Sequence, residues 1–187
     1  MYILLGFSRL LDNLLAFFGR IGALCGVLLA VVVCIDVATR YLNMPKPFGW
    51  NSTQLQESEY WLHTFLFTFM IGWAYTQQKH VRIDLVSSIL PYKIRLFIEL
   101  VGLLFFLLTF SLLGMWFSGH YAYSSILENE TSKSALGLPN IWILKSSIFV
   151  MFLLMVFSAI SQFIKVLAAL MGVTSNGLII EPFKGGS

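Results

Sequence analysis

Four stretches, over about residues 21–42, 60–78, 97–119 and 141–164, are nearly free of charge. Each approaches the ~20 apolar residues that cross a bilayer. A soluble fold of 187 residues, 58% of them hydrophobic, could not hide four such runs. Only 11% of the residues are charged, against roughly 25% in a soluble domain. Mean hydropathy is +0.81. The bilayer is therefore the solvent, and the predicted fold class is an all-α integral membrane protein of four transmembrane helices. Tyr41, Trp50, Tyr60, Trp61, Tyr75, Tyr92, Trp116, Tyr121, Tyr123 and Trp142 fall near the ends of the runs, where an aromatic belt belongs.

Residues 1–20 read differently. Ile3, Leu4, Phe7, Leu10, Leu11, Leu14, Leu15, Phe17 and Phe18 alternate at helical period with a polar or small stripe. The stripe is Ser8, Arg9, Asp12, Asn13, Ala16, Gly19 and Arg20. This predicts an amphipathic helix lying in the membrane interface ahead of the first span. A secretory signal is rejected, because no small-x-small cleavage site precedes a soluble domain. Residues 171–187 are polar and glycine-containing, which predicts a flexible tail.

Lys and Arg set the orientation. An inward N-terminus places Arg9, Arg20, Lys79, Arg82, Lys93, Arg95, Lys165 and Lys184 inside. Outside lie only Arg40, Lys46 and Lys133, with Lys145 at the outer start of the last span. Both termini are therefore expected in the cytoplasm. The outer face then carries Glu57, Glu59, Glu128 and Glu130 and is mildly acidic. No dense basic patch or reader motif points to nucleic acid.

Several polar groups sit in or beside the spans. Asp36 and Arg40 are spaced for a helical ion pair, structural near the headgroups or orienting a partner. Glu57, Glu59 and His63 open the second span, and Glu59 and His63 share a face. They read as a hydrogen-bonded cap or, alternatively, a proton relay. Thr64, Thr68, Gly72 and Thr76 form a stripe of small side chains, and Gly22 and Gly26 a Gly-x-x-x-Gly. Both predict close helix packing, with the neighbour in this chain or another. His80, Arg82 and Asp84 alternate in a juxtamembrane loop whose bases favour anionic lipid. Pro139 and Trp142 introduce the last span, and Lys145 follows, snorkelling outward or bridging to an acid.

Cys25 and Cys34 lie nine residues apart on one helix, too far to bridge. No Gly-rich phosphate loop, nucleophile elbow, paired carboxylates or metal-spaced cluster occurs. An enzyme is not expected, nor a cofactor.

In this order the pieces resemble the small membrane subunit, DctQ-like, of tripartite ATP-independent periplasmic (TRAP) transporters. They are Arg40-Tyr41, Gln56-Glu57-Ser58-Glu59-Tyr60-Trp61-Leu62-His63, His80-Val81-Arg82-Ile83-Asp84 and Gly137-Leu138-Pro139, with Trp142 and Lys145. The resemblance covers about residues 9–170. It implies a non-catalytic, multi-pass subunit of the bacterial inner membrane. Its partners would be a large elevator-type membrane subunit, a periplasmic substrate-binding protein and membrane lipids. The substrate would be an organic anion, with sodium ions bound on the large subunit. Asp36, Arg40, Glu57, Glu59, His63, Gly72, His80, Arg82, Asp84, Pro139, Trp142 and Lys145 are then candidates for subunit or lipid contact. Two other classes stay open: a cytochrome b-type subunit with haem between His63 and His120, and a small self-sufficient exporter. The sequons at Asn51 and Asn129 are read as chance.

Overall fold

The computed structural model describes residues 2–77, 90–134 and 136–172. Among these the chain is all-helical and contains no strand. Helix α1 is Tyr2–Tyr41, α2 is Ser52–Thr76, α3 is Tyr92–Leu127 and α4 is Trp142–Leu170. A single 3-10 turn, Pro47–Gly49, lies between α1 and α2. The expected tail lies almost wholly outside the described residues, as do His80, Arg82 and Asp84.

Local chemistry sets the helix ends. After Tyr41 the chain reverses through Asn43, at φ 54°, a left-handed conformation that asparagine tolerates. Asn51 caps α2 reciprocally: its Oδ1 accepts from Gln54 N at 2.8 Å, and its own N–H donates to Gln54 Oε1 at 3.2 Å. Pro91 precedes the first turn of α3. Gly172, at φ 70°, ends α4 in the conformation that suits glycine after a helix. Within α3 the stretch Gly102–Leu108 is π-helical, and Thr109 Oγ1 donates back to Leu104 O at 3.3 Å.

Among the described residues three helices, α1, α3 and α4, are long and apolar enough to cross a membrane. The expected span over 60–78 falls in α2. Its 25 residues reach ~37 Å, which is sufficient length. Glu57, Glu59, His63 and four threonines keep its composition short of the other three. Elsewhere the helices outrun the predicted spans: α3 continues past residue 119 to Leu127, and α4 past residue 164 to Leu170. The loop between α3 and α4 shrinks accordingly to residues 128–141.

Helix α4 is the hub. It packs against α1, α2 and α3, whereas α3 meets the bundle chiefly through α4. Buried positions are accordingly densest on α4, from Leu154 to Ala168. The outward side of α3 is left to Phe105, Phe106, Phe110, Leu113, Trp116 and Phe117.

The first twenty residues depart from expectation. They are not a separate element, because α1 runs unbroken for 40 residues. The polar stripe divides. Ser8 and Asp12 turn into the bundle, where Ser8 Oγ lies 2.9 Å from Ser161 Oγ. Asp12 accepts from Ser161 Oγ at 2.6 Å and pairs with Lys165 Nζ at 2.6 Å. Arg9, Asn13 and Arg20 remain exposed. The reason is that α4 carries its own polar groups at matching height, so α1 satisfies them instead of facing only lipid and water.

Small residues let α1 then cross from α4 onto α2. A Cβ on Gly19 would meet Trp73 at 2.8 Å, one on Gly22 would meet Met70 at 2.8 Å, and one on Gly26 would meet Leu66 at 3.2 Å. The small-residue stripe of α2 is internal over Thr68, Gly72 and Thr76, with Thr64 only half-buried. Thr68 and Thr76 are buried. A Cβ on Gly72 would lie 3.0 Å from Leu154 O. Gln162 Nε2 donates to Thr76 O at 3.2 Å. Both small-residue motifs are therefore spent on contacts within the chain.

Candidate functional site

Asp36, Arg40, Glu57, Glu59 and Lys145, singled out in the sequence, gather at one end of the bundle. This end holds the close of α1, the start of α2 and the loop 128–141. Asp36, 5% exposed on α1, binds two cations. Arg40 Nη2 lies 2.6 Å from Oδ2 and Lys46 Nζ 3.1 Å from Oδ1. The expected pair thus becomes a trio, because the turn at Asn43 brings Lys46 back over the helix. Glu59 lies within the field of Asp36, Arg40 and Lys46. Its Oε1 is buried without a hydrogen-bond partner.

Glu57 is the clamp. One carboxylate oxygen accepts from Ser132 Oγ and the other from the Leu138 backbone N–H. Asn51 Nδ2 donates to Leu136 O at 3.2 Å beside them. The loop between α3 and α4 is thereby tied to the first turns of α2. Gly137 is needed there, since a Cβ would run into Ser132 Oγ and Glu57 Oε1.

Lys145 closes the other side of the loop. Its Nζ pairs with Glu130 Oε2 and lies 4.0 Å over the Tyr121 ring. Ser125 Oγ also donates to Glu130 Oε2, at 2.7 Å. The Lys145 ammonium and then the Ser125 hydroxyl hold the Glu130 carboxyl below the ordinary glutamate range. Lys145 is therefore bridged to an acid, which sits in the loop and not on a neighbouring helix.

The remaining candidates have local roles. His63 is exposed, with its ring edge-on to Phe67 at 4.6 Å. His120 is exposed on α3, edge-on to Trp116 at 4.8 Å. Each histidine thus rests on an aromatic of its own helix. Pro139 is exposed in the loop, three residues ahead of α4 and not at its first turn. Trp142 opens α4 and donates to Asn140 Oδ1 at 3.3 Å. Among the described residues no three His, Cys, Asp or Glu side chains are grouped to hold a metal.

Sequence reasoning missed Lys46, Glu130 as the partner of Lys145, Ser132, and Asn51 as a cap. The Asn51 signal was legible, since Asn-x-x-Gln before an apolar run is a capping pattern. The others depend on how the loops return.

The fold and this polar end define a small all-helical membrane protein whose charged groups brace its own loops. The family of tripartite ATP-independent periplasmic transporters, DctQ component, matches residues 29–169. The chain belongs to that family and is a membrane component of such a transporter. No curated protein and no solved structure matches it at significance.

Proposed function

We propose that this chain is the small, non-catalytic membrane subunit of a sodium-coupled TRAP transporter for an organic anion. It braces the large elevator-type subunit in the bacterial inner membrane and helps dock the periplasmic binding protein. Substrate and sodium ions bind on the large subunit. The family match carries this reading.

The architecture is compatible with bracing. An elevator needs one part held still, and a bundle whose small-residue seams are closed internally is a stiff part. Four spans follow when α2 counts as the fourth, with its polar groups turned to α4 or to the outer interface. Arg9, Arg20, Lys93 and Arg95 then face the cytoplasm with both termini. Arg9 and Arg20 lie on the exposed polar side of α1, which suits an oblique course through the inner headgroups. The clamped loop would face the periplasm, where a binding protein docks. His80, Arg82 and Asp84 support subunit or lipid contact on the inner side.

Co-expression with the neighbouring large subunit and binding protein tests the reading. Uptake into proteoliposomes should need all three chains. Glu59→Ala and Asp84→Ala should each weaken co-purification or uptake. Uptake by the large subunit and binding protein alone, at the full rate, would exclude a bracing role.

A further inference from the structure

Two carboxylates and two cations meet where α1 ends and α2 begins, and they are shared unequally. Asp36, on α1, holds both Arg40 and Lys46. Glu59, on α2, holds neither, although both cations act on it. Its Oε1 is enclosed and has no hydrogen-bond partner among the described residues.

The charges facing Glu59 come from one side. Asp36 and Arg40 lie on α1, and Lys46 lies in the turn after it. Helix α4, the other helix packed on α2, presents Lys145 at this end, but its ammonium belongs to Glu130 of the loop. Glu128 and Lys133 of that loop are exposed. On α2 itself Glu57 is held by the loop, and His63 is exposed one turn on.

An ionised carboxylate with an enclosed, unbonded oxygen loses hydration that nothing replaces. Burial first, and then the Asp36 charge, raise the Glu59 carboxyl above the ordinary glutamate range, against the pull of Arg40 and Lys46. Glu59 stands just ahead of the apolar run 60–78 and is only partly buried. Water can therefore deliver a proton to the carboxyl, although no side chain reaches Oε1. With the proton on the other oxygen, Oε1 is a neutral carbonyl, for which a missing hydrogen bond costs far less. Without the proton, Glu59 competes with Asp36 for a cation. Arg40 is fixed one turn from Asp36 on the same helix. Lys46 is the one able to change sides, since it has a flexible four-carbon stem and sits in the connection that leads to α2.

We propose that Glu59 is a proton-binding site that decides which carboxylate holds Lys46. Protonated, it leaves Lys46 on Asp36 and the turn folded back over α1. Ionised, it draws Lys46 and the turn towards α2. The shape of this end of the bundle then follows pH. Only groups of this chain take part, so the inference stands apart from the assembly proposed above.

The chain has six glutamates, few enough to follow one by one. In the full chain in detergent micelles, carboxyl resonances of isotopically labelled glutamate give each titration. One should fall above the ordinary value of about 4.3. Glu59→Gln should abolish that one alone. Lys46→Gln removes a cation that favours the ionised form and should move it higher. The Lys46 ammonium resonance should shift with the same midpoint in wild type and stay put in Glu59→Gln. Melting temperature gives an independent sign. A carboxyl raised by folding weakens the fold as pH climbs through its folded value. Wild type should therefore lose stability relative to Glu59→Gln as pH rises above about 4.3. If all six titrate at or below that value, or the high one survives in Glu59→Gln, the site is wrong. A Lys46 signal indifferent to the Glu59 titration overturns the exchange of partner. Should Glu59→Gln fail to fold, a high-titrating resonance that Lys46→Gln leaves in place overturns the inference all the same.

Discussion

Removing the Glu57 carboxylate should release the loop 128–141 without unfolding the bundle. Glu57 accepts from Ser132 Oγ and from the Leu138 N–H. Hydrogen bonds to a charged acceptor contribute about 1.5–3 kcal/mol each. Glu57 is only partly buried, so water recovers some of that. About 2 kcal/mol for the pair is a fair figure on the same scale. The loop keeps its other ties, Asn51 to Leu136 O and Glu130 to Lys145, so the loss falls on local opening. At about 1.4 kcal/mol per tenfold, the open population rises ~30-fold. Lys133 is exposed in this loop and gives trypsin a site. When opening is fast relative to cleavage, the cleavage rate follows the open population. Glu57→Ala should therefore be cut at Lys133 about 30-fold faster than wild type, with helix content unchanged. Glu57→Gln keeps an acceptor but loses the charge, and should fall between. A Glu57→Ala rate within about twofold of wild type would refute the clamp.

Four further outcomes are expected. Gly72→Leu should destabilise the bundle by about 1–3 kcal/mol in a denaturation series, because even a Cβ would sit 2.9 Å from Leu15 and 3.0 Å from the Leu154 carbonyl. Gly6→Ala meets nothing within 4 Å and should gain up to about 1 kcal/mol from helix propensity. Asp36→Ala strands Lys46 beside Arg40 and should cost about 3 kcal/mol, the low end for breaking a buried pair; melting temperature measures it, and an unchanged value would place both cations in solvent. The Glu130 carboxyl is held below its ordinary range, so its contribution is complete above the unfolded value of about 4.3. It disappears as pH falls through the lower folded value. The melting difference between wild type and Glu130→Gln should be flat at neutral pH and close only in acid; a difference that closes already at neutral pH would contradict the bridge.

The apolar runs and the packing stripes were legible in the order of residues, but their ends were not. Leu127 and Leu170 close helices that hydropathy would stop near His120 and Lys165. Past residue 119, α3 is held by contacts that hydropathy does not register, since Tyr121 and Ser125 have partners in Lys145 and Glu130. Likewise the amphipathic pattern of residues 2–20 specifies a helix but not what satisfies its polar side. A polar stripe does not reveal whether water or another helix satisfies it, and Ser161 and Lys165 decide that for Ser8 and Asp12.

The sequence by itself determined the class of protein. Helical period and hydrophobic length are local properties, so apolar runs and glycine seams can be read one segment at a time. Only the tertiary structure decided the partners. Lys46 joins Asp36 from ten residues on, Lys145 reaches back fifteen to Glu130, and Glu57 holds a backbone amide 81 residues away. A backbone N–H is present at nearly every position and carries no residue signature. Which one meets a carboxylate is set by how the helices pack and how the loops return over them.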